Sequence, residues 1–423
     1  MTSATTSFST QRNEIAGHSV AEIAQRFGTP CYVYDWASIA RRIADLSAFD
    51  AIRYAQKALS NIAILDRMRR SGVVVDAVSA GEIERALRAG FVANSHPSGI
   101  VYTADVFDRE SLELVVKHHI PVNCGSPDMI DQLGAVAPGS NIALRINPGF
   151  GHGHSQKTNT GGAQSKHGIW HTAIDECLIR ADRNNLCVTG MHMHIGSGTD
   201  FEHLAQVCVA MEQACLEVGR TVKTISAGGG LPIPYKAEQT YVDLEQYYQL
   251  WHATRNRLQD KFGHAIELEI EPGRYLVAES GYLIAEIRAI KAMGENTFYL
   301  LDAGFNDLAR PILYGAYHPI SVAHRDGSTT QLEREVVVGG PLCESGDIFT
   351  QEEGGFVARR LLPAASVGDY LILEVAGAYG FAMASNYNSK YRVPEVLIED
   401  GQLKEIRRRE TAEDLLRLET IPT

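Results

Sequence analysis

Through the first two thirds of the chain, short apolar, β-branched runs alternate with amphipathic stretches of helical period. The runs Ile52–Ala55, Val74–Val78, Ile100–Thr103, Val122–Cys124, Ile142–Ile146, Val188–His194, Thr224–Ala227 and Glu267–Ile270 read as strands. Segments such as Ile62–Arg70, Gly81–Ala89, Leu204–Val218 and Leu244–Phe262 carry the helical pattern between them. Eight β-then-α units predict an α/β fold, a closed (β/α)8 TIM-type barrel; a doubly wound open sheet is the alternative. From about Gly281 the pattern turns to strands alone: Tyr282–Ile290, Phe298–Asp302, Pro319–Val322, Glu335–Val338, Tyr370–Val375 and Glu395–Ile398, closed by a short helix at Ala412–Leu418. A second, mostly antiparallel β-domain is expected there, and the extended stretch Pro30–Tyr34 can add a strand to it. The expected division is 1–40 as a segment contributing to the β-domain, 41–280 as the barrel and 281–423 as the C-terminal β-domain.

The 423 residues suffice for two or three domains, and 45% hydrophobic with 21% charged residues is an ordinary globular composition. The net charge of −12 argues against a nucleic-acid partner, which needs a basic surface. An anionic small substrate needs only a local cluster of Arg and Lys. The opening stretch has no apolar core segment of the secretory type, and no run approaches the roughly 20 apolar residues that span a bilayer. Seven cysteines without metal-type spacing suggest free thiols in a reducing cytoplasm.

A barrel of this kind carries its chemistry at the C-terminal ends of its strands, and the unusual residues gather there. Lys57, in Tyr54-Ala55-Gln56-Lys57-Ala58, follows the first strand and can form an imine with an aldehyde cofactor; alone, it would more simply be a solvated loop lysine. Gly228-Gly229-Gly230 after the seventh strand can offer successive backbone N–H groups to a phosphate, or be a flexible turn. Gly196-Ser197-Gly198 after the sixth adds small groups and a hydroxyl. Glu271-Pro272-Gly273-Arg274 joins a carboxylate and a guanidinium at the end of the eighth; the carboxylate suits a protonated pyridine nitrogen, and a surface ion pair is the plainer reading. His192 and His194, two apart on a strand, suit either a metal, with Glu269 and Glu271 in reach, or one imidazole stacked on a flat ring and one structural histidine. His152 and His154 repeat that spacing in a Gly-rich stretch suited to a lid.

Taken in order, Tyr54–Ala58, Gly190–Gly198, Gly228–Leu231, Glu271–Arg274, Gly340-Pro341-Leu342-Cys343-Glu344-Ser345-Gly346-Asp347 and Gly377-Ala378-Tyr379-Gly380 resemble the motifs of the alanine racemase-like, fold-type III decarboxylases that use pyridoxal phosphate (PLP). The likeness runs from about Thr29 to about Glu410. The stretch from Arg310 through Tyr314 to His318, and residues 147–168, resemble the branch that decarboxylates diaminopimelate. Leu59 and Pro232 depart from the commoner neighbours of their motifs, and neither departure removes a reacting group.

The resemblance implies a catalytic set of Lys57, His194 and Cys343. It implies cofactor contacts from Lys57, His194, Ser197, Gly228, Gly229, Gly230, Glu271, Pro272, Gly273, Arg274 and Tyr379, and substrate contacts from Arg274, Arg310, Tyr314, Glu344 and Tyr379. No metal is implied. The implied reaction converts meso-2,6-diaminopimelate to L-lysine and CO2, with another basic or carboxylated amino acid as the alternative substrate. The second amino-acid head of diaminopimelate would satisfy Arg310, whereas lysine and ornithine carry only an amine there. The family further implies a homodimer in which Cys343 and Glu344 cross to the partner's barrel. A metal-dependent barrel hydrolase, and a PLP-binding protein without catalysis, are the readings in competition; Cys343 and Arg310 speak against the second.

Overall fold

The computed structural model describes residues 8–151, 161–194, 200–352 and 354–422. The chain divides into two compact units, one made of 42–232 and 242–276, the other of 1–41, 233–241 and 277–423.

The first unit is the barrel. Its strands are β1 (Ala51–Ala55), β2 (Val74–Ala77), β3 (Ile100–Ala104), β4 (Val122–Cys124), β5 (Asn141–Asn147), β6 (Cys187–His192), β7 (Thr224–Ser226) and β8 (Glu267–Ile270). Each pairs in parallel with the next. The ring closes where β8 returns to β1, Glu269 opposite Ala51 and Ile270 opposite Ile52. Closure excludes the open sheet. A two-residue strand, Ile169–Trp170, adds to the end of β5.

Side chains stop the chain between strand and helix. Asn61 accepts the Ala63 N–H at 2.9 Å to start helix Ile62–Arg70, Ser79 accepts Glu82 N–H before Ala80–Arg88, and Asp243 accepts Gln246 N–H before Leu244–Phe262. Each cap satisfies a backbone donor that the helix leaves open, typically worth about 1 kcal/mol.

The second unit is a nine-stranded sheet. Its path runs Arg360–Pro363, Glu333–Gly339, Asn296–Leu301, Gly281–Met293, Cys31–Asp35, Glu395–Glu399, Gln402–Arg407, and Tyr370–Leu373 bridges Gly281–Met293 to Ile320–Ala323. Pairing is antiparallel except at two places, Asn296–Leu301 with Glu333–Gly339 and Cys31–Asp35 with Glu395–Glu399. The stretch Pro30–Tyr34 thus supplies a central strand. Helix Val20–Phe27, capped by Ser19, lays Val20, Ile23 and Ala24 against Val33, Ile284, Ile372 and Val396. Burying each such branched side chain contributes about 1.5–3 kcal/mol.

Among the described residues no helix is long and apolar enough to cross a membrane.

Candidate active site

The eight strand ends of the barrel unit build a polar mouth from residues far apart in sequence. Lys57 lies in the single turn Gln56–Ala58 directly after β1, exposed between two buried neighbours. The end of β1 is tied to the Glu271–Arg274 motif, because Ala55 N–H donates to the Pro272 carbonyl at 3.1 Å.

Glu271, just past β8, is buried and doubly engaged. His192 Nε2 lies 2.6 Å from its Oε2, and Ser226 Oγ donates to its Oε1 at 3.2 Å. Burial alone would raise this carboxyl; the charge of His192 and its hydrogen bond, with Arg53 adding to them, overcome burial and draw it down to about 2. The site therefore holds a fixed anion at neutral pH.

His194 lies beyond the end of β6, two residues after the strand stops. Its Nδ1 accepts the Gly229 N–H at 3.0 Å, which requires an unprotonated nitrogen there. Burial, then the charges of Arg145 and Lys57, push its pKa well below the usual imidazole value, in agreement with that bond. The two histidines thus serve different partners, His192 a carboxylate and His194 a backbone N–H. Among the described residues no three His, Cys, Asp or Glu side chains come together as a metal would need.

In the glycine loop, Gly228 N–H donates to Ser226 Oγ at 3.1 Å and Gly229 N–H to His194, so two of the three N–H groups expected to face a phosphate are engaged within the protein. Gly228 is in the left-handed region (φ 62°), and a Cβ there would sit 2.3 Å from the Met193 carbonyl oxygen. Only glycine fits the approach of this loop to β6. Arg274 opens the short helix Arg274–Val277 after Pro272 and Gly273. Ser197, His152 and His154 lie outside the described residues.

Four further groups of the mouth, Asp76, Thr103, Asn123 and Ser226, escaped the sequence reading. Asp76, at β2, is buried, and its carboxyl is raised well above the usual range by burial first and by Glu271 next, with Thr103 and Lys57 opposing. Asn123 donates to Thr103 Oγ1 at 2.8 Å, so β2, β3 and β4 each place a polar group inside the barrel. Ser226 completes the set. The one available signal was Asp76 itself, a lone carboxylate in the apolar run Val73–Val78.

The β-unit carries the remaining candidates. Arg310, 7% exposed, opens helix Arg310–Tyr314 and donates to Tyr235 Oη at 3.2 Å and to His318 Nε2 at 2.9 Å. Its guanidinium also lies over the Tyr235 ring, 4.9 Å from the centroid. His318 Nδ1 lies 3.0 Å from the Glu374 carbonyl oxygen, so that nitrogen bears the proton and Nε2 is the acceptor for Arg310. Tyr314 ends that helix, exposed. Cys343 and Glu344 lie on an exposed loop, and Tyr387 Oη donates to Glu344 Oε2 at 3.4 Å. Tyr379 adopts φ 57° in a tight stretch where a Cβ on Gly377 would fall 1.9 Å from the Val277 carbonyl oxygen.

A barrel that places an exposed lysine after β1, a buried anion after β8 and a neutral histidine after β6 defines a fold-type III enzyme of the PLP-dependent class. Residues 37–278 match the family model "Pyridoxal-dependent decarboxylase, pyridoxal binding domain". The diaminopimelate decarboxylase of Escherichia coli strain K12 is 54% identical over 98% of this chain and 99% of its own. A crystal structure of a diaminopimelate decarboxylase superposes with TM-score 0.92 at 55% identity, covering 94% of this chain and 95% of its own. That of the Helicobacter pylori enzyme, complexed with L-lysine, gives 0.83 at 32% identity over 94% and 98%. The chain belongs to the diaminopimelate decarboxylase family.

Proposed function

We propose that the protein uses PLP to convert meso-2,6-diaminopimelate to L-lysine and CO2. The observation that carries this reading is Glu271 held by His192 and Ser226 in the barrel mouth, with Lys57 at the adjoining strand end and His194, accepting the Gly229 N–H, two strands away. When bound, the cofactor supplies an electron sink for the pair left behind as CO2 departs. The barrel's donor set fits it: a lysine amine for its aldehyde, a fixed carboxylate for its ring nitrogen, a neutral imidazole for its ring face and the Gly230 end of the glycine loop for its phosphate, to which the resemblance adds Ser197 and Tyr379.

The chain's own residues do the rest. Glu271, held ionised by His192 and Ser226, favours a protonated ring nitrogen. Cys343 delivers the proton that replaces the lost carboxylate, its thiol passing H+ to carbon and recovering it from solvent; a placed donor of this kind is worth about 10²–10⁴-fold. Arg310 and Arg274 would take the distal carboxylate, Glu344 the distal ammonium, with Tyr314 and Tyr379 adding hydroxyls. A charge-assisted pair is worth about 1.5–3 kcal/mol, which a substrate without the second carboxylate forgoes.

Two finer points belong to the same reading. The working unit is a homodimer, Cys343 and Glu344 reaching the partner's barrel, and it acts in the cytoplasm, in keeping with seven unpaired cysteines. CO2 release from diaminopimelate, lysine, ornithine and arginine, with and without added PLP, tests the function. Release from diaminopimelate that depends on PLP is expected; equal release from lysine would contradict the substrate. Mixing inactive Lys57→Ala with Cys343→Ala protein should restore activity if sites are shared, and a silent mixture would refute sharing.

A further inference from the structure

The loop bearing Cys343 is pinned from two sides. On the inner side the buried Asp347 carboxylate accepts Leu342 N–H at 2.7 Å and Phe305 N–H at 2.8 Å, while Asp347 N–H donates to the Glu344 carbonyl at 3.1 Å. On the outer side Cys343 N–H donates to Asn388 Oδ1 at 2.8 Å. Cys343 is exposed, so packing does not fix it; these backbone bonds do.

The turn that provides the outer bond has an unusual backbone. Asn388 (φ 53°, ψ 26°) and Ser389 (φ 57°) are successive non-glycine residues in the left-handed region. A surface turn with only a conformational demand is met best by glycine. Asparagine tolerates the region and adds an acceptor, and here the acceptor is used. The turn is itself tied down: Asn386 Nδ2 donates to Glu410 Oε2 at 2.7 Å and to the Lys390 carbonyl at 3.0 Å. The neighbouring Tyr387 packs on Phe305, ring centroids 5.2 Å apart, and donates to Glu344. One short turn therefore touches both Cys343 and Glu344.

We propose that Asn388 is a positioning residue for Cys343: its side-chain oxygen holds the cysteine's backbone N–H and so fixes the direction in which the thiol leaves the loop. The proposal rests on the reading of Cys343 as proton donor. With the backbone held, a single χ1 rotation remains to bring the proton within reach of carbon. Without it the loop gains freedom where transfer demands reacting atoms about 3–3.5 Å apart.

The test separates acceptor from backbone. Asn388→Gly keeps the left-handed turn and removes the acceptor; Asn388→Asp keeps both. Turnover of the PLP-loaded enzyme on diaminopimelate is measured for each, in wild-type and Cys343→Ala backgrounds, with the cofactor absorbance band as a check on loading. Asn388→Gly should lower kcat on the order of 10- to 100-fold with KM little moved, Asn388→Asp should stay within about threefold of wild type, and Asn388→Gly should add nothing in the Cys343→Ala background. Full activity in Asn388→Gly, equal loss in both variants, loss of the absorbance band, or an undiminished loss on top of Cys343→Ala would each overturn the assignment. If Cys343→Ala alone retains full turnover, it is the proton-donor reading that fails.

Discussion

Arg53 sits on β1 where the barrel closes against β8, and replacing it with methionine offers a sharp test of what holds that seam. Its guanidinium meets Glu269 in fork geometry, Nε to Oε2 at 2.9 Å and Nη2 to Oε1 at 2.6 Å, and donates to the Ser98 carbonyl at 3.0 Å. Arg53 is 2% exposed and Glu269 8%. Methionine keeps the stem and removes the charge, which strands the carboxylate where water cannot solvate it. Breaking a buried pair in this way costs about 3–5 kcal/mol, whereas replacing both partners with apolar groups is often neutral or stabilising. At about 2–4 °C per kcal/mol for a domain of this size, Arg53→Met should melt roughly 6–20 °C below wild type. Arg53→Met/Glu269→Leu should recover most of that. Thermal unfolding of the cofactor-free proteins, followed by circular dichroism at matched concentration, reads both. A single variant melting within about 2 °C of wild type, or a double variant no better than the single, would refute the reasoning.

Glu271, drawn from 4.5 to about 2, contributes stability that is present above pH 4.5 and lost as the pH falls toward 2; Glu271→Gln should remove that portion of the acid transition seen by circular dichroism. Asp307 behaves oppositely. Burial pushes its carboxyl from 3.8 up to about 7 against the opposing Gly304 N–H, so its contribution is full below 3.8 and lost as the pH rises through 7. Asp307→Asn should accordingly raise the melting temperature more at about pH 8 than at about pH 5. Arg310→Ala should weaken diaminopimelate selectively in steady-state kinetics, and equal losses for lysine and diaminopimelate would remove it from substrate choice.

Much of this was legible because the barrel repeats one local pattern eight times, and each strand announces itself by a β-branched run. The strands expected at Val188–His194 and Thr224–Ala227 stop earlier, at His192 and Ser226, because the chain turns there to bring His194 and Gly229 together. Arg360–Pro363 and Gln402–Arg407 were not anticipated. Their strand character comes from partners, Glu333–Gly339 and Glu395–Glu399, rather than from their own mixed composition. The polar partnerships were invisible for a similar reason. Nothing local to Arg53, Asp76 or Asn388 names the residue that each addresses across the fold. A motif records which side chains are present; the occupied N–H groups of Gly228 and Gly229 appear only in three dimensions.

Strand Cys31–Asp35 has a consequence for synthesis. Both of its neighbours in the sheet, Gly281–Met293 and Glu395–Glu399, are translated only after the whole barrel. At about 5–20 residues per second the emerging strand waits tens of seconds with both edges bare. Its first companion is the nearby helix Val20–Phe27, which can shelter only one face. Unpaired strand edges of this kind make a folding chain prone to aggregate, which is the hazard chaperones relieve.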